Sequence, residues 1–178
     1  MKIPDLTEFP PDHHPSPYGF PLPLLGGEKW GIGRLPEGLT LVAIGWLGNS
    51  VTSNGSVEED VLDALLEAYE SNAVFSDGTA GWHDCELCPG PEAWYSDGKI
   101  GPLIHWRDRQ VRLYGHGHHL LRHGSIVYMV PALILHYILG HNYRPPEEFL
   151  KAVTSGEFLR PDHLRWEAYS PEDPFSAS

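Results

Sequence analysis

Apolar residues follow two different rhythms along this chain. In VEEDVLDALLEAYES, residues 57 to 71, Val61, Leu62, Leu65, Leu66 and Tyr69 recur at the spacing of one helix face. Ser56 followed three residues later by Glu59 predicts a capping box at its start. Its acids gather at the N-terminal end, where the helix dipole favours negative charge. GLTLVAIGWLG, residues 38 to 48, is instead a continuous apolar run between glycines and predicts a buried strand. After Gly101 the short runs PLIHWR (102 to 107), QVRLYG (110 to 115), HHLLRH (118 to 123) and SIVYMV (125 to 130) are separated by DR, GHG and HGS. That succession predicts an antiparallel meander of about four strands. Pro131 is expected in the first turn of a buried helix, PALILHYILG, ended by Gly140. PPEEFLKAVTSG repeats the grammar, with proline at its start, acids in the first turn and Gly156 at its end.

One N-terminal-half strand, a meander and three helices make an α+β protein of a single domain, which suits a length of 178 residues. The expected domain spans residues 26 to 156. Residues 1 to 25 read as a proline-rich arm: seven prolines fall within the first 23 residues and disfavour regular structure. Leu6, Phe9, Tyr18, Phe20, Leu22, Leu24 and Leu25 make the arm apolar enough to pack on the domain. Residues 157 to 178 read as a C-terminal tail, and 71 to 99 as a turn-rich segment.

Charge refines this picture. The formal net charge is −12, unevenly spread. From Val57 to Gly98 there are eleven acids and no Lys or Arg; from Lys99 to Arg144 there are six Lys and Arg against the single acid Asp108. The two halves are expected to pack together and offset each other, or else to leave an acidic face for a basic protein partner. An acidic balance argues against nucleic-acid binding, which depends on neutralising phosphates. No run approaches the roughly 18 apolar residues of a membrane span. The N-terminal stretch lacks the apolar core of a secretory signal, so a cytoplasmic location is expected.

The candidate chemistry centres on GWHDCELCPG, residues 81 to 90, which holds the only two cysteines. In a reducing compartment a Cys-x-x-Cys pair reads first as a metal site. Cys85 and Cys88 can present two thiolates from one turn to a tetrahedral ion, usually Zn²⁺, at about 2.3 Å. With no second Cys-x-x-Cys, the remaining ligands must be histidine or carboxylate. In HYILGH, His136 and His141 stand five residues apart and are expected to converge because Gly140 breaks the helix between them. The favoured ligand set is Cys85, Cys88, His136 and His141. His83, two residues before Cys85, is the competing ligand or a donor behind the ligands, followed by His116, His118 and His119.

Other readings of the cysteines fit less well. A thioredoxin-like pair needs a helix N-terminus inside a βαβ unit. A zinc deaminase needs His-x-Glu ahead of Pro-Cys-x-x-Cys. Neither pattern is present, nor is a His-Glu-x-x-His, Gly-x-Ser-x-Gly or P-loop motif.

GWHDCELC taken with VYMVPALILHYILGHNYRPPEEFLKAV resembles an uncharacterised group of small bacterial proteins. These share Gly-x-His-x-Cys-x-x-Cys, then a strand, then His-Tyr-Ile-x-x-His-x-Tyr-x-Pro-Pro-x-x-Phe. The resemblance covers roughly residues 80 to 155, leaves the arm and the last twenty residues outside, and implies no activity. Three functions remain open. The first is a protein-binding or regulatory module with a closed structural zinc. The second is a metal-dependent hydrolase with an open zinc site and Glu86 or Asp84 as general base. The third is an acidic inhibitor or immunity-type protein without metal, anchored by Trp82, Trp94 and Tyr95.

Overall fold

The computed structural model describes residues 2–9, 38–71, 85–89, 95–96, 99–113 and 117–159. Its centre is a five-stranded mixed sheet. Strand β1 (Thr7–Phe9) pairs antiparallel with β2 (Thr40–Ala43). β2 runs parallel to β8 (Ile126–Pro131), β8 pairs antiparallel with β7 (His118–His123), and β9 (Glu157–Phe158) closes the other edge. Two short antiparallel hairpins stand apart from it: β3 (Tyr95–Ser96) with β4 (Lys99–Ile100), and β5 (Leu103–Trp106) with β6 (Arg109–Arg112). The helices are α1 (Glu59–Glu70), α2 (Ile134–His141) and α3 (Glu147–Ser155). The fold is therefore a single α+β domain with the three expected helices.

The four strands expected as one meander divide into two hairpins in different sheets. β7–β8 lies in the main sheet beside β2, while β5–β6 lies along α1. Sequence proximity favoured continuous pairing, but β7 gives its second edge to β9 and so leaves no place there for β6.

The sheet has apolar residues on both faces, which explains why β2 and β8 read as continuous apolar runs rather than alternating ones. Val42, Leu121, Tyr128 and Val130 join the large core formed with the helices. Leu41, Ala43, Leu120, Val127 and Met129 belong to a second cluster with Ile3, Phe9, Trp46 and Leu159. Of the expected arm, residues 2–9 contribute β1 and Ile3 to this second cluster; residues 10 to 37 lie outside the described residues. Of the expected tail, β9 pairs with β7, and residues 160 to 178 lie outside the described residues.

α1 buries Val61, Leu62, Leu65, Leu66, Ala68 and Tyr69, the stripe its periodicity predicts. Its start differs from the predicted capping box. Glu58 is the N-cap and makes no side-chain cap bond, while the Asp60 carboxylate accepts from the Val61 N–H at 3.0 Å. Ser56 is held elsewhere: its carbonyl accepts from Arg144 Nη1.

The acids of α1 meet arginines from the second half of the chain. Arg107 reaches Glu59 at 2.9 Å and Asp63 at 3.0 Å, Arg109 reaches Glu70 at 2.7 Å, and Arg144 reaches Glu58 at 3.3 Å. The packing of oppositely charged halves is thus visible at α1. Trp106 Nε1 donates to Asp63 at 2.8 Å and seats the β5–β6 hairpin on the same helix face.

Pro131 ends β8 instead of opening a helix. It sits opposite His118, where its missing N–H leaves a gap in the ladder, and the next N–H, of Ala132, donates to the Gly117 carbonyl. α2 then begins at Ile134. α3 follows the predicted grammar, with Pro146 as N-cap, Glu147 and Glu148 in the first turn and Gly156 as C-cap.

Candidate metal centre

Four side chains from two places in the chain converge beside α2. Cys85 and Cys88 lie on the turn of residues 85–89, closed by the Cys88 N–H donating to the Cys85 carbonyl at 3.2 Å. This bond turns both thiols to one side. Cys85 is buried, Cys88 is half-buried, and Leu87 packs against the large core. His136 and His141 come from α2. Their ligand atoms and the two sulfurs all lie within 4.8 Å of one another, so this Cys2His2 cluster is close enough to hold a metal ion.

The distances define the shape. Cys85 Sγ lies 3.2 Å from His141 Nε2, Cys88 Sγ lies 3.2 Å from His136 Nε2 and 3.4 Å from His141 Nε2, and the two Nε2 atoms are 3.1 Å apart. For a tetrahedral ion with metal–sulfur bonds of about 2.3 Å and metal–nitrogen bonds of about 2.0 Å, sulfur–nitrogen edges are about 3.5 Å and nitrogen–nitrogen edges about 3.3 Å. The observed edges are close to these.

The histidines converge by a different route from the one their spacing suggests. Gly140 does not break the helix: α2 runs through His141 and ends at Asn142, whose left-handed backbone (φ 54°) caps it. Asn tolerates that conformation better than most residues with a side chain. Residues five apart on a helix point about 140° from each other, so the two rings must swing inward. Their centroids are 4.8 Å apart and their planes perpendicular. Gly140 contributes space, since a Cβ there would lie 3.3 Å from His136 Nδ1.

The surroundings penalise charge on these groups when they stand alone. Burial pushes the Cys85 thiol up to about 12, aided by the neighbouring Cys88. Burial, then the nearby His141, lowers His136 to about 4, and burial also lowers His141. Tyr137, almost fully buried, is raised by burial and then by Cys85, Glu86 and Cys88. The imidazoles are thus held neutral, as ligands must be, while the Cys85 thiol resists ionisation unless a cation is near.

Among the described residues this is the cluster of metal-ligating side chains, and neither His118 nor His119 belongs to it. His119 lies in β7 with its ring against Tyr69 at 6.0 Å and Phe158 at 6.1 Å. His83, His116, Asp84, Trp82, Trp94 and the Tyr95 side chain lie outside the described residues.

Sequence reasoning missed the residues that hold the far side of α2. Tyr143, fully buried, donates its hydroxyl to Asp5 Oδ2 at 2.9 Å, and Asp5 Oδ1 accepts from the Gly45 N–H at 2.8 Å. An asparagine directly after a helix was the one local signal for the cap; nothing local links Asp5 to Tyr143.

Among the described residues no helix is long and apolar enough to cross a membrane. No curated protein and no solved structure matches the chain. A family model does match, over residues 1–154, so the family's shared region takes in the N-terminal arm that the motif resemblance left outside and leaves out the whole of the tail. The chain belongs to the family defined by the domain of unknown function DUF7919.

Proposed function

We propose that Cys85, Cys88, His136 and His141 bind one Zn²⁺ as a structural ion, in a protein that works as a binding or regulatory module. The observation that carries this reading is the crowding at His141 Nε2. That atom faces Cys85 Sγ at 3.2 Å, Cys88 Sγ at 3.4 Å and His136 Nε2 at 3.1 Å. An imidazole nitrogen carries one proton or one lone pair, so it satisfies one such neighbour as a hydrogen-bond partner. A cation at the centre uses all four donors at once. Two thiolates and two imidazoles in a tetrahedron favour zinc over hard cations.

Four protein donors leave no ligand position for substrate. Glu86, exposed on the same turn, would have no metal-bound water to act on as general base. Convergence of the four donors also favours a metal over the metal-free inhibitor. Bound there, zinc would supply a cross-link between the 85–89 turn and α2.

Elemental analysis of purified protein tests this reading. One zinc per chain is expected. His141→Ala and Cys88→Ala should each lose most of it and lower the melting temperature by similar amounts, and the double variant should be little worse than either, because one shared site is broken. A His141→Ala protein with full zinc and wild-type melting would refute the ligand set. Native protein that is fully folded and metal-free would refute the zinc itself.

The partner class we propose is a basic protein, supported by the net charge of −12. Four acids of α1 are engaged by the chain's own arginines, so the attraction would come from the remaining acidic surface and be weakened by salt. Salt-sensitive capture of a single basic protein is the expected result; salt-independent capture would count against this partner class.

A further inference from the structure

The three residues that follow the last candidate ligand tie together distant parts of the chain. The Asn142 carbonyl accepts from the Gly55 N–H at 3.1 Å, and the Arg144 N–H donates to the Ser53 carbonyl at 3.0 Å. Between them, Tyr143 sends its hydroxyl to Asp5. The N–H groups of Asn142 and Tyr143 both donate to the Tyr137 carbonyl, so the direction of the Tyr143 side chain is set by how α2 ends.

α2 is only eight residues long, and a helix of that length is not stable by itself. Its last turn carries His141. With His141 held to the 85–89 turn through a shared ion, that end is pinned from outside the helix. Without the ion, that end rests on the Asn142–Gly55 and Arg144–Ser53 backbone bonds and on the packing of the buried Tyr143 ring, and fraying there carries Tyr143 with it.

β1 depends on that position. It has three residues, lies at the sheet edge, and pairs with β2 alone. Beyond the ladder, the polar contacts that tie its approach to the rest of the protein include the Leu6 N–H to the Ala43 carbonyl at 2.9 Å, the Ile3 N–H to the Trp46 carbonyl at 2.9 Å, Lys2 Nζ to Ser50 at 2.9 Å, and the two Asp5 bonds. A strand this short sits at the low end of local stability. Asp5 is partly buried, so losing the Tyr143 hydroxyl leaves its carboxylate under-bonded where it now lies, which favours its return to water.

We propose that the N-terminal strand is held by a metal-dependent latch: ligation at His141 fixes the end of α2, Tyr143 holds Asp5, and Asp5 holds β1 on the sheet. The latch rests on the zinc reading above and adds a response to it. Loss of the metal releases residues 2–9 and opens the outer edge of β2, while the sheet interior stays folded.

Amide hydrogen exchange on the full chain, zinc-loaded and chelator-stripped, tests the latch, with zinc measured on the same samples. In stripped protein the Leu6 and Gly55 amides should exchange about tenfold faster or more, while those of the β7–β8 hairpin keep their protection. Tyr143→Phe should retain one zinc per chain and still show fast exchange at Leu6, which separates the latch from the metal. Zinc binding with unchanged Leu6 protection on stripping overturns the latch alone. Uniform loss of protection across the sheet overturns it as well, since the release must be local. Wild-type protection in Tyr143→Phe removes Tyr143 from it. A chain that takes up no zinc overturns both the latch and the reading beneath it.

Discussion

α1 and the 85–89 turn are both secured to the body of the protein, by opposite means. α1 is held by area: six of its residues are buried in one apolar stripe, and its charges lie outside on arginines. The turn offers little area. Cys85 is its one buried residue, with Leu87 and Cys88 partly covered, and on the proposed zinc reading its grip depends on four donor atoms meeting at a point. Area is insensitive to solution chemistry and degrades gradually as atoms are removed. A four-donor point is all or none and answers to metal, pH and oxidation.

Substitutions should separate these two modes. The largest effect is expected at the turn: Cys85→Ser should take zinc content from one per chain to near zero while far-ultraviolet circular dichroism still reports α1 and the sheet. In α1, Leu65→Ala should cost about 2–5 kcal/mol in chemical denaturation and leave zinc content unchanged, because it opens a cavity in the core and touches no donor. If Leu65→Ala also emptied the metal site, the two regions would be one cooperative unit and the contrast would fail.

A smaller effect sharpens the contrast through pH. His136 is lowered from its ordinary value of 6.5 to about 4, so between those values the unfolded chain binds the proton that the folded one refuses. Stability of metal-stripped protein from this group is therefore complete above pH 6.5 and is lost as pH falls towards 4, by roughly 2–3 kcal/mol. Cys85, raised from 9.0 to about 12, gives the opposite sign: its contribution is complete below pH 9 and is lost as pH rises towards 12. Denaturation midpoints of stripped protein across pH 4 to 11 should describe that plateau; His136→Gln should flatten its acid side. The smallest effect belongs to the charged exterior of α1. Arg109→Ala should cost below about 1 kcal/mol and less in high salt, with no change in zinc, since the Arg109–Glu70 pair is largely in water.

The same contrast explains what could be read from the chain. The stripe of α1 was legible because helix burial is periodic and local. The pairing of Cys85 and Cys88 with His136 and His141 was legible from residue chemistry, since two neighbouring thiols call for further soft donors and HYILGH sets two of the eleven histidines close together. The route was not legible: Gly140 reads as a helix stop by propensity, yet the structure uses it as empty space over His136 and gives the stop to Asn142. The capping box at Ser56 was a valid local pattern that the structure does not use: Glu58 is the N-cap, and the Glu59 carboxylate accepts from Arg107 instead. The division of the meander was hidden because the second edge of β7 goes to β9, over thirty positions further on, and the parallel partner of β8 lies as far back as β2; no short-range pattern reports either.

That parallel pair has a consequence for the order in which the protein acquires its shape. Thr40 to Ala43 align with Ile126 to Met129, and nearby Trp46 Nε1 donates to the Met129 carbonyl 83 positions away. As the chain is synthesised, β2 can meet β1 at once and α1 can coil locally, but the central strand of the sheet arrives late. Until then the apolar side chains of β2 have no β8 to rest on. Closing so long a loop is slow compared with helix or hairpin formation. The interval before β8 emerges is when an emerging chain is most exposed to aggregation, and the β7–β8 hairpin is the piece whose arrival ends it.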